Sequence, residues 1–372
     1  MTGVPGLSWS RTSPEEAGFN PGAFEDALEL ASTSEIGIGS DLTSMMPDGT
    51  RHPSNRPLGP VKSRGSTSGV VVFQGQIVGE YGDIHRPEVT FSCSKSYLSA
   101  LCGIAVTDGL IDSLDERVGD RIRDGGFDSP QNNQITWRHL FEQTSEWDGE
   151  LFGIPDWIDR GRQVAGAKAR LESTVGGSAE EVVDYRPLTQ PGTFWEYNDV
   201  RVNRASLALL QLFREPLPQV LKRRIMDPIG TSNTWSWHGY QTSWVEIDGR
   251  DIESVSGGAH WGGGIWISTL DHARFGLLYQ NNGSWGGATL LPESWARATR
   301  TPCQLNPDYG LMFWLNTRHH LSDVAGTDAF AAMGAGGNVV FIWPEAELTI
   351  VLRWCASTKG VIDSILRARI GS

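Results

Sequence analysis

The stretch Ser92-Cys93-Ser94-Lys95 lies at the start of an apolar-periodic segment and is the most informative part of this chain. Side chains three positions apart lie on the same face of a helix, so Lys95 can reach the hydroxyl of Ser92. A serine is a weak nucleophile until a neighbouring base activates it. The spacing therefore predicts a serine nucleophile, and the strength of that prediction depends on the groups that follow downstream.

An apolar stripe follows this pair and predicts a helix that ends near Asp108-Gly109. Ser92 is then expected at the N-terminus of the helix. Backbone N–H groups and the positive end of the helix dipole favour a developing anion there. The stripe is formed by Tyr97, Leu98, Leu101, Ile104 and Ala105.

Strands are predicted at both ends of the chain, with helical patterns between them. Because hairpins give antiparallel pairs, this order predicts an α+β fold with a mainly antiparallel sheet and an all-helical insertion. The sheet domain, an α/β sandwich, is assigned to residues 1–91 and 258–372, and a mainly helical domain to residues 92–257. The predicted strands cover residues 68–73, 76–81, 262–268, 331–334, 338–343 and 348–355. The other predicted helices begin near Pro21 or cover residues 137–143, 178–185, 202–213, 217–226, 271–279 and 361–369.

The composition is that of an ordinary globular protein of 372 residues, with 39% hydrophobic and 20% charged residues. A formal net charge of −13 argues against nucleic acid or anionic membrane surfaces as partners, because both select basic patches. No window approaches the roughly 18 apolar residues of a transmembrane helix. Residues 1–9 lack the basic and apolar regions of a secretory signal. A cytoplasmic location is expected, with a mature exported form whose leader has been removed as the alternative. The oligomeric state stays open.

The cysteines are scattered and show no metal-type pairing, so reduced thiols are expected. No His, Cys or Asp cluster has zinc spacing, and no G-x-G-x-x-G follows a predicted strand. We therefore expect no metal and no cofactor. The 15 tryptophans predict a packed core and also suit a cleft for an apolar substrate. The cysteines are Cys93, Cys102, Cys303 and Cys355.

Residues 191–199, with the sequence PGTFWEYND, are predicted to deliver Tyr197 to the start of a helix near Val200. Asp199 is a plausible N-cap of that helix. A phenol near an ammonium can relay a proton, so Tyr197 would act as base and later as acid to the leaving group. The alternative is a tyrosine that packs at a helix start. Trp195 would contact the substrate or brace Tyr197.

A glycine-rich segment, Ala332-Met333-Gly334-Ala335-Gly336-Gly337-Asn338, follows a predicted strand. Glycines allow the backbone to approach a ligand closely. An exposed N–H beside the nucleophile is what an oxyanion hole requires. An ordinary glycine-rich hairpin turn is the alternative.

Other polar residues carry less information. His260, which precedes the run Gly262 to Gly264, would line the cleft or be a structural histidine. Glu142, Glu146 and Asp148 surround Trp147, and a solvated helix end explains them as well as a position near the cleft does.

Taken in order, Ser92-x-x-Lys95, Tyr197 and the glycine-rich strand segment resemble the serine β-lactamase and penicillin-binding protein superfamily. The connecting stretches 137–145, 191–197 and 262–276 resemble its class C-like branch, which includes family VIII esterases and 6-aminohexanoate-dimer hydrolases. The resemblance extends over about residues 12 to 370. Each motif is modest, but the ordered set is specific.

The resemblance implies a role for each matching residue. Ser92 would be the acylated nucleophile, Lys95 its base or electrostatic partner, and Tyr197 the proton relay. The backbone N–H groups of Ser92 and Ala335 would form the oxyanion hole. The implied fold is an antiparallel sheet flanked by the terminal helices, with the active site between the sheet and the helical insertion. The expected substrate-binding residues are Gly334, Gly336, Asp199, Trp195 and His260.

Two departures from the family pattern bear on the substrate. The second motif is often Tyr-x-Asn, whereas Asp199 takes the amide position here and would hold Lys95 or cap the helix. The Lys/His-Thr-Gly motif is replaced by Ala332-Met333-Gly334. The cation and the hydroxyl that help to hold a β-lactam carboxylate are therefore missing, which favours a more apolar acyl substrate.

The sequence predicts a cofactor-free serine hydrolase that acts on a small amide or ester. Short-chain esters and linear amides such as aminohexanoate oligomers rank first, D-amino-acid peptides next and β-lactams last. The alternatives are an acyltransferase or a D-amino-acid peptidase on the same scaffold, and a non-catalytic acyl-binding sensor.

Overall fold

The structure is a computed structural model that describes residues 3–42, 56–160, 186–258 and 264–370. Its helices are α1 (Pro21–Thr33), α2 (Ser94–Thr107), α3 (Trp137–Phe141), α4 (Asp199–Phe213), α5 (Leu217–Leu221), α6 (Thr269–Gln280), α7 (Glu293–Ala298) and α8 (Thr358–Arg367). Its strands are β1 (Ser68–Phe73), β2 (Gln76–Tyr81), β3 (Glu88–Val89), β4 (Glu150–Leu151), β5 (Ile154–Pro155), β6 (Ser236–His238), β7 (Trp244–Ile247), β8 (Arg250–Glu253), β9 (Gly264–Ile267), β10 (Ser284–Trp285), β11 (Ala288–Thr289), β12 (Trp314–Leu315), β13 (Phe330–Gly334), β14 (Asn338–Trp343) and β15 (Leu348–Arg353).

An antiparallel sheet in the order β12-β13-β14-β15-β1-β2 forms the centre of the fold. The predicted N-terminal hairpin is β1–β2, and the three predicted C-terminal strands are β13 to β15. The two ends of the chain meet where β1 pairs with β15, with Ser68 opposite Arg353 and Phe73 opposite Leu348. The predicted α+β class with a mainly antiparallel sheet is confirmed.

Both faces of this sheet are buried by helices. Successive side chains of a strand point to opposite faces, so Val70 and Val72 pack toward α2 and α6 while Val71 packs toward α1 and α8. Each fully buried side chain of this size contributes roughly 2 kcal/mol to folding. The N- and C-terminal helices, α1 and α8, pack against each other on the second face, as predicted.

The helix α1 begins where the sequence predicts. Pro21 occupies its first position, and the Asn20 side chain accepts the N–H of Ala23 as an N-cap. The apolar residues Phe24 and Ala31 lie on its buried face.

The helix α2 packs against the middle helices α4 and α5. All of its residues from Ser94 to Ala105 are buried, because helices cover one side of it and the central sheet the other. It begins at Ser94, so Ser92 lies in the preceding one-turn helix Phe91–Cys93 rather than in α2 itself.

The predicted helical region also contains short strands that the sequence pattern does not predict. The hairpins β4–β5 and β7–β8 lie within it, and β6 joins β3 and β9 in a second antiparallel sheet. The helix predicted over 202–213 begins earlier, at Asp199. The helical segment predicted over 217–226 is present as α5 followed by a π-helical turn over Lys222–Met226. The helix predicted over 178–185 lies outside the described residues. None of the described helices is both long enough and apolar enough to cross a membrane.

Candidate active site

Ser92 is presented by a strained turn. The one-turn helix Phe91–Cys93 is closed by a hydrogen bond from the Cys93 N–H to the Thr90 carbonyl, at 3.2 Å. Phe91 has a φ of 47°, in the left-handed region that residues other than glycine rarely adopt. Such strain persists only where the surroundings enforce it, and it is concentrated at functional sites.

Three glycines pack closely against this turn and the residue after it. A Cβ placed on Gly258 would lie 1.9 Å from the Phe91 carbonyl oxygen, and one on Gly334 would lie 2.1 Å from the Thr90 carbonyl oxygen. A Cβ on Gly264 would lie 2.7 Å from Ser94 Oγ. A side chain at any of these glycines would therefore displace the segment that carries Ser92.

The Lys95 side chain is buried and makes three polar contacts. Its Nζ lies 2.8 Å from Ser92 Oγ, 3.0 Å from the Gly257 carbonyl oxygen and 2.9 Å from Asp199 Oδ1. Lys95 is 1% exposed, whereas Ser92 is half-buried. The hydroxyl and the amine one helical turn apart thus meet, as their spacing predicts.

The helix α4 places Asp199 against Lys95. The N-cap of α4 is Asn198, whose side chain accepts the N–H of Arg201 at 3.1 Å. The prediction of Asp199 as N-cap is therefore wrong by one residue, because the amide oxygen of Asn198 fills that role. Asp199 is the first residue of the helix, and its own N–H donates to Asp159 Oδ2 at 2.9 Å. Its carboxylate is left to pair with Lys95.

Tyr197 lies beside the Lys95 ammonium in an aromatic cluster. Lys95 Nζ is 4.9 Å from the centre of the Tyr197 ring. The same ring stacks on Trp314 at 5.8 Å with 25° between the planes, and it meets Tyr309 edge-on at 6.2 Å. Trp195 contacts Tyr309 and Trp314 at 5.4 and 6.2 Å, so the two aromatic residues predicted from residues 191–199 lie in one cluster.

Sequence reasoning missed Tyr309, Trp314 and Gln143. The two aromatic residues lie ahead of the glycine-rich segment in the run Asp308 to Trp314, whose aromatic content was the available signal. Gln143 holds the backbone on both sides of Tyr197. Its Oε1 accepts the N–H of Asn198 at 3.1 Å and its carbonyl accepts the N–H of Glu196 at 2.9 Å. Burial raises the pKa of Tyr309, which keeps this phenol protonated near neutral pH.

A buried ion-pair network lies behind the Tyr197 segment. Arg201 pairs with Glu146 and Asp156, at 2.7 and 3.0 Å, and Arg186 pairs with Glu146 and Glu196. Burial alone would raise the pKa of Glu146, but the Arg186 hydrogen bonds, the Arg201 charge and the Thr189 N–H lower it to about 2.

Glu142, Glu146 and Asp148, the three acidic residues around Trp147, differ in burial and in their ion-pair partners. Glu146 is a buried network residue and does not belong to a solvated helix end. Glu142 pairs with Arg138, and burial raises its pKa. Asp148 is exposed and pairs with Arg160.

The glycine-rich segment forms the turn between β13 and β14. Gly334 pairs with Asn338 in the ladder, and the Asn338 side-chain amide donates to the Ala335 carbonyl at 2.6 Å. Gly336 has a φ of 79°, which favours glycine. A Cβ on Gly334 would lie 3.2 Å from the Ser92 backbone nitrogen. Gly334 thus lies close to the backbone nitrogen of Ser92, and the Asn338 side chain holds the Ala335 carbonyl.

Of the predicted site residues, Ser92, Lys95 and Asp199 are joined by polar contacts. Tyr197 and Trp195 lie beside them in the aromatic cluster. Gly334 lies against the Ser92 turn, whereas Gly336 lies against the Trp354 ring. His260 lies outside the described residues. Within the ranges that the structure describes, no group of three His, Cys, Asp or Glu side chains is arranged to hold a metal ion.

The fold defined by the sheet, the helices and the Ser92 turn is shared with solved structures of low sequence identity. A Bacillus anthracis protein described as a 6-aminohexanoate-dimer hydrolase aligns with a TM-score of 0.59 at 18% identity, over 98% of this chain and 87% of its own. A family VIII carboxylesterase aligns with a TM-score of 0.55 at 15% identity, over 93% and 96% of the two chains. EstCE1, a hydrolase with promiscuous acyltransferase activity, gives 0.56 at 14% identity, over 94% and 100%.

The protein therefore has the β-lactamase-like fold. Residues 89–359 match the family model described as Beta-lactamase, and the chain belongs to the beta-lactamase family. No curated protein is significantly similar to this chain in sequence. The family match and the fold identify a hydrolase of this general class.

Proposed function

We propose that the protein is a serine hydrolase that cleaves a small amide or ester through an acyl-enzyme on Ser92. The observation that carries the proposal is the contact of 2.8 Å between Ser92 Oγ and the buried Lys95 Nζ. The Tyr197 ring lies beside the same nitrogen and supports the proposal, because its phenol is a second proton-transfer group next to the contact of Ser92 with Lys95.

The proposed reaction begins when Ser92 Oγ attacks the substrate carbonyl. The backbone N–H groups of Ser92 and Ala335 stabilise the resulting oxyanion, since donors fixed in advance act without reorganisation. Lys95 and Tyr197 pass the serine proton to the leaving group. Water then attacks the acyl-enzyme, and Ser92 is released. The site lies between the proposed sheet domain, residues 1–91 and 258–372, and the proposed helical domain, residues 92–257.

Two observations support an apolar acyl substrate. The strand β13 carries Ala332, Met333 and Gly334, so no cation projects from that segment toward a substrate carboxylate. The cluster of Trp195, Tyr197, Tyr309 and Trp314 offers aromatic surface beside the site. The names of the similar structures, an esterase and an aminohexanoate-dimer hydrolase among them, point to the same esters and linear amides.

Acyl transfer is a second candidate function on the same intermediate. An acyl-enzyme on Ser92 reacts with an alcohol or amine in place of water, and one similar structure belongs to a hydrolase with acyltransferase activity. The ratio of ester product to free acid in the presence of an added alcohol separates the two functions.

Intact-mass analysis after treatment with a fluorophosphonate tests the proposal directly. We expect one adduct on Ser92, none on Ser92→Ala, and an unchanged adduct on Ser364→Ala, whose hydroxyl donates to the Gly360 carbonyl within α8. Rates on p-nitrophenyl esters, aminohexanoate dimer and nitrocefin then rank the substrates. A folded protein without an adduct, or equal ester hydrolysis by wild type and Ser92→Ala, would remove Ser92 from the mechanism. A stable adduct from an ordinary ester without turnover would instead indicate the acyl-binding sensor.

A further inference from the structure

The charge on Lys95 determines which group takes the proton of Ser92. Its Nζ has three acceptors within 3.0 Å: Ser92 Oγ, the Gly257 carbonyl oxygen and Asp199 Oδ1. An ammonium has three N–H donors and no lone pair, and it accounts for the hydrogen bonds to Ser92 and Gly257 and for the ion pair with Asp199. A neutral amine fits the same positions if its lone pair faces Ser92, in which case Lys95 acts as the base. The contact distances alone do not choose between these two states.

The carboxylate of Asp199 favours the ammonium. Both side chains are buried, Lys95 at 2% and Asp199 at 5% exposure, and their charged atoms lie 2.9 Å apart. Loss of one charge from a buried ion pair is strongly unfavourable for the charge that remains. The nearby Asp159 carboxylate, which accepts the N–H of Asp199, adds a further negative charge that a cation at Lys95 offsets.

We propose that Asp199 is a positioning residue that keeps Lys95 as an ammonium throughout the reaction, so that the proton of Ser92 passes to Tyr197 and not to Lys95. This inference rests on the proposed function. The neutral amide that the related Tyr-x-Asn pattern has at this position would supply the same acceptor without the charge.

The proton and electron movements in acylation then follow. Lys95 donates to Ser92 Oγ, and the new Oγ–C bond forms as the carbonyl π bond breaks and its electron pair moves to the carbonyl oxygen. The Ser92 proton passes to Tyr197 Oη while the phenolic proton of Tyr197 passes to the leaving heteroatom. The bond between carbon and the leaving group breaks as the carbonyl re-forms. Tyr197 ends as a phenol, and Lys95 neither gains nor loses a proton.

Other titratable groups face this ion pair. Burial raises the pKa of Cys93 to about 11 and also raises the pKa of Tyr240 and Tyr309, so these three stay protonated near neutral pH. Among the described residues, Asp159 and Tyr197 also lie beside this pair. His260 lies outside the described residues, and an imidazole titrates in the neutral range. Each pH experiment is therefore repeated in a His260→Gln background.

The first test measures the charge on Lys95 without using activity. The chain has only five lysines, so ¹³Cε-lysine labelling gives a simple spectrum, and Lys95→Arg identifies the signal of interest. We expect Lys95 to be charged across the pH range in which the enzyme is active. In Asp199→Asn it should lose its proton at least about one pH unit lower than in wild type, because the buried ammonium has lost its counter-charge. An uncharged Lys95 at the pH of maximal wild-type activity would overturn the proposal, and this charge is read on the wild-type protein once the signal has been identified.

The second test is the pH dependence of kcat/KM for a p-nitrophenyl ester. If the ammonium is the active form, Asp199→Asn moves the alkaline limb of the profile to lower pH and leaves the acid limb in place. If neutral Lys95 is the base, the same substitution moves the acid limb to lower pH and raises the rate near neutrality, which would refute the inference.

Asp124→Asn is the matched control. It breaks another ion pair to helix α4, between Asp124 and Arg204, away from Ser92. It should lower stability and leave both limbs of the pH profile unchanged.

The proposed function and the proposed role of Asp199 fail in different ways. Without a Ser92 adduct the proposed function falls, whatever the charge of Lys95. With a Ser92 adduct and an uncharged Lys95, only the role of Asp199 falls.

Discussion

Arg201 and Glu146 form an ion pair of 2.7 Å in which neither side chain is more than 3% exposed. Arg201 lies in the first turn of α4, two residues after Asp199, and Glu146 lies 55 residues earlier in the chain. The pair therefore ties the start of α4 to the segment that carries Glu146. The position of Asp199, and with it that of Lys95, depends on this contact.

Replacing Arg201 with Met should destabilise the protein by about 3–5 kcal/mol, because it leaves the buried carboxylates of Glu146 and Asp156 short of a cation. Urea denaturation followed by tryptophan fluorescence measures the loss. Arg223→Met is the control. The Arg223 side chain is 58% exposed and that of its partner Glu215 is 32% exposed, so this ion pair should stabilise the protein by less than about 1 kcal/mol. Equal losses in the two variants would show that the buried network contributes no more than a surface ion pair.

Gly334→Ala should lower kcat/KM by about 100-fold or more, because a displacement of about 1 Å at a reacting group has that effect. The added methyl would lie 2.1 Å from the Thr90 carbonyl oxygen, a backbone atom that moves only with the Ser92 turn. The rate of fluorophosphonate adduct formation reports the displacement of Ser92 separately from substrate binding. Gly37→Ala, which has no atom within 4 Å of its added Cβ, should react like wild type. A wild-type rate for Gly334→Ala would mean that the turn does not fix Ser92.

Stability should fall as the pH drops below about 6.5, in part because of His272. Burial, followed by the charge of Arg353, lowers the pKa of His272 well below 6.5, and its ring contacts the hydroxyls of Thr90 and Tyr97. The unfolded chain binds a proton at His272 that the folded chain does not. The stabilising contribution of the neutral imidazole is therefore present above pH 6.5 and is lost below it.

One such histidine changes the free energy of unfolding by at most about 1.4 kcal/mol per pH unit. Denaturant titrations at pH 7.5, 6.5 and 5.5 measure it, and His272→Gln should flatten the dependence relative to wild type. The exposed His85→Gln serves as reference. The same slope in His272→Gln as in wild type would contradict a buried neutral imidazole.

The parts of the fold with a regular period were predictable from the sequence. The hairpin β1–β2 and the strands β13 to β15 follow from alternating or continuous apolar runs bounded by turn residues. Helix α1 follows from its 3.6-residue pattern and from Pro21. The strands β4, β5 and β6 are two or three residues long, which is too short to show a period.

The candidate site also has a part that could be predicted from the sequence and a part that could not. The contact between Ser92 and Lys95 is local and follows from their spacing on a helix, although the helix proper begins after Ser92. The position of Tyr197 was inferred from its place in an ordered set of motifs. The stacking of Tyr197 on Trp314 and the pairing of Arg201 with Glu146 join residues far apart in the chain, and only the folded backbone brings them together.

The glycines around the Ser92 turn bear on how this enzyme could be re-engineered. Gly258 and Gly264 lie six residues apart and Gly334 lies in β13, and each of them packs closely against residues 90–94. Grafting a foreign loop across any of them would displace Ser92 before it altered selectivity. The aromatic surface of Trp195 and Trp314 is built from side chains alone, which makes it the better starting point for a mutant library aimed at new substrates.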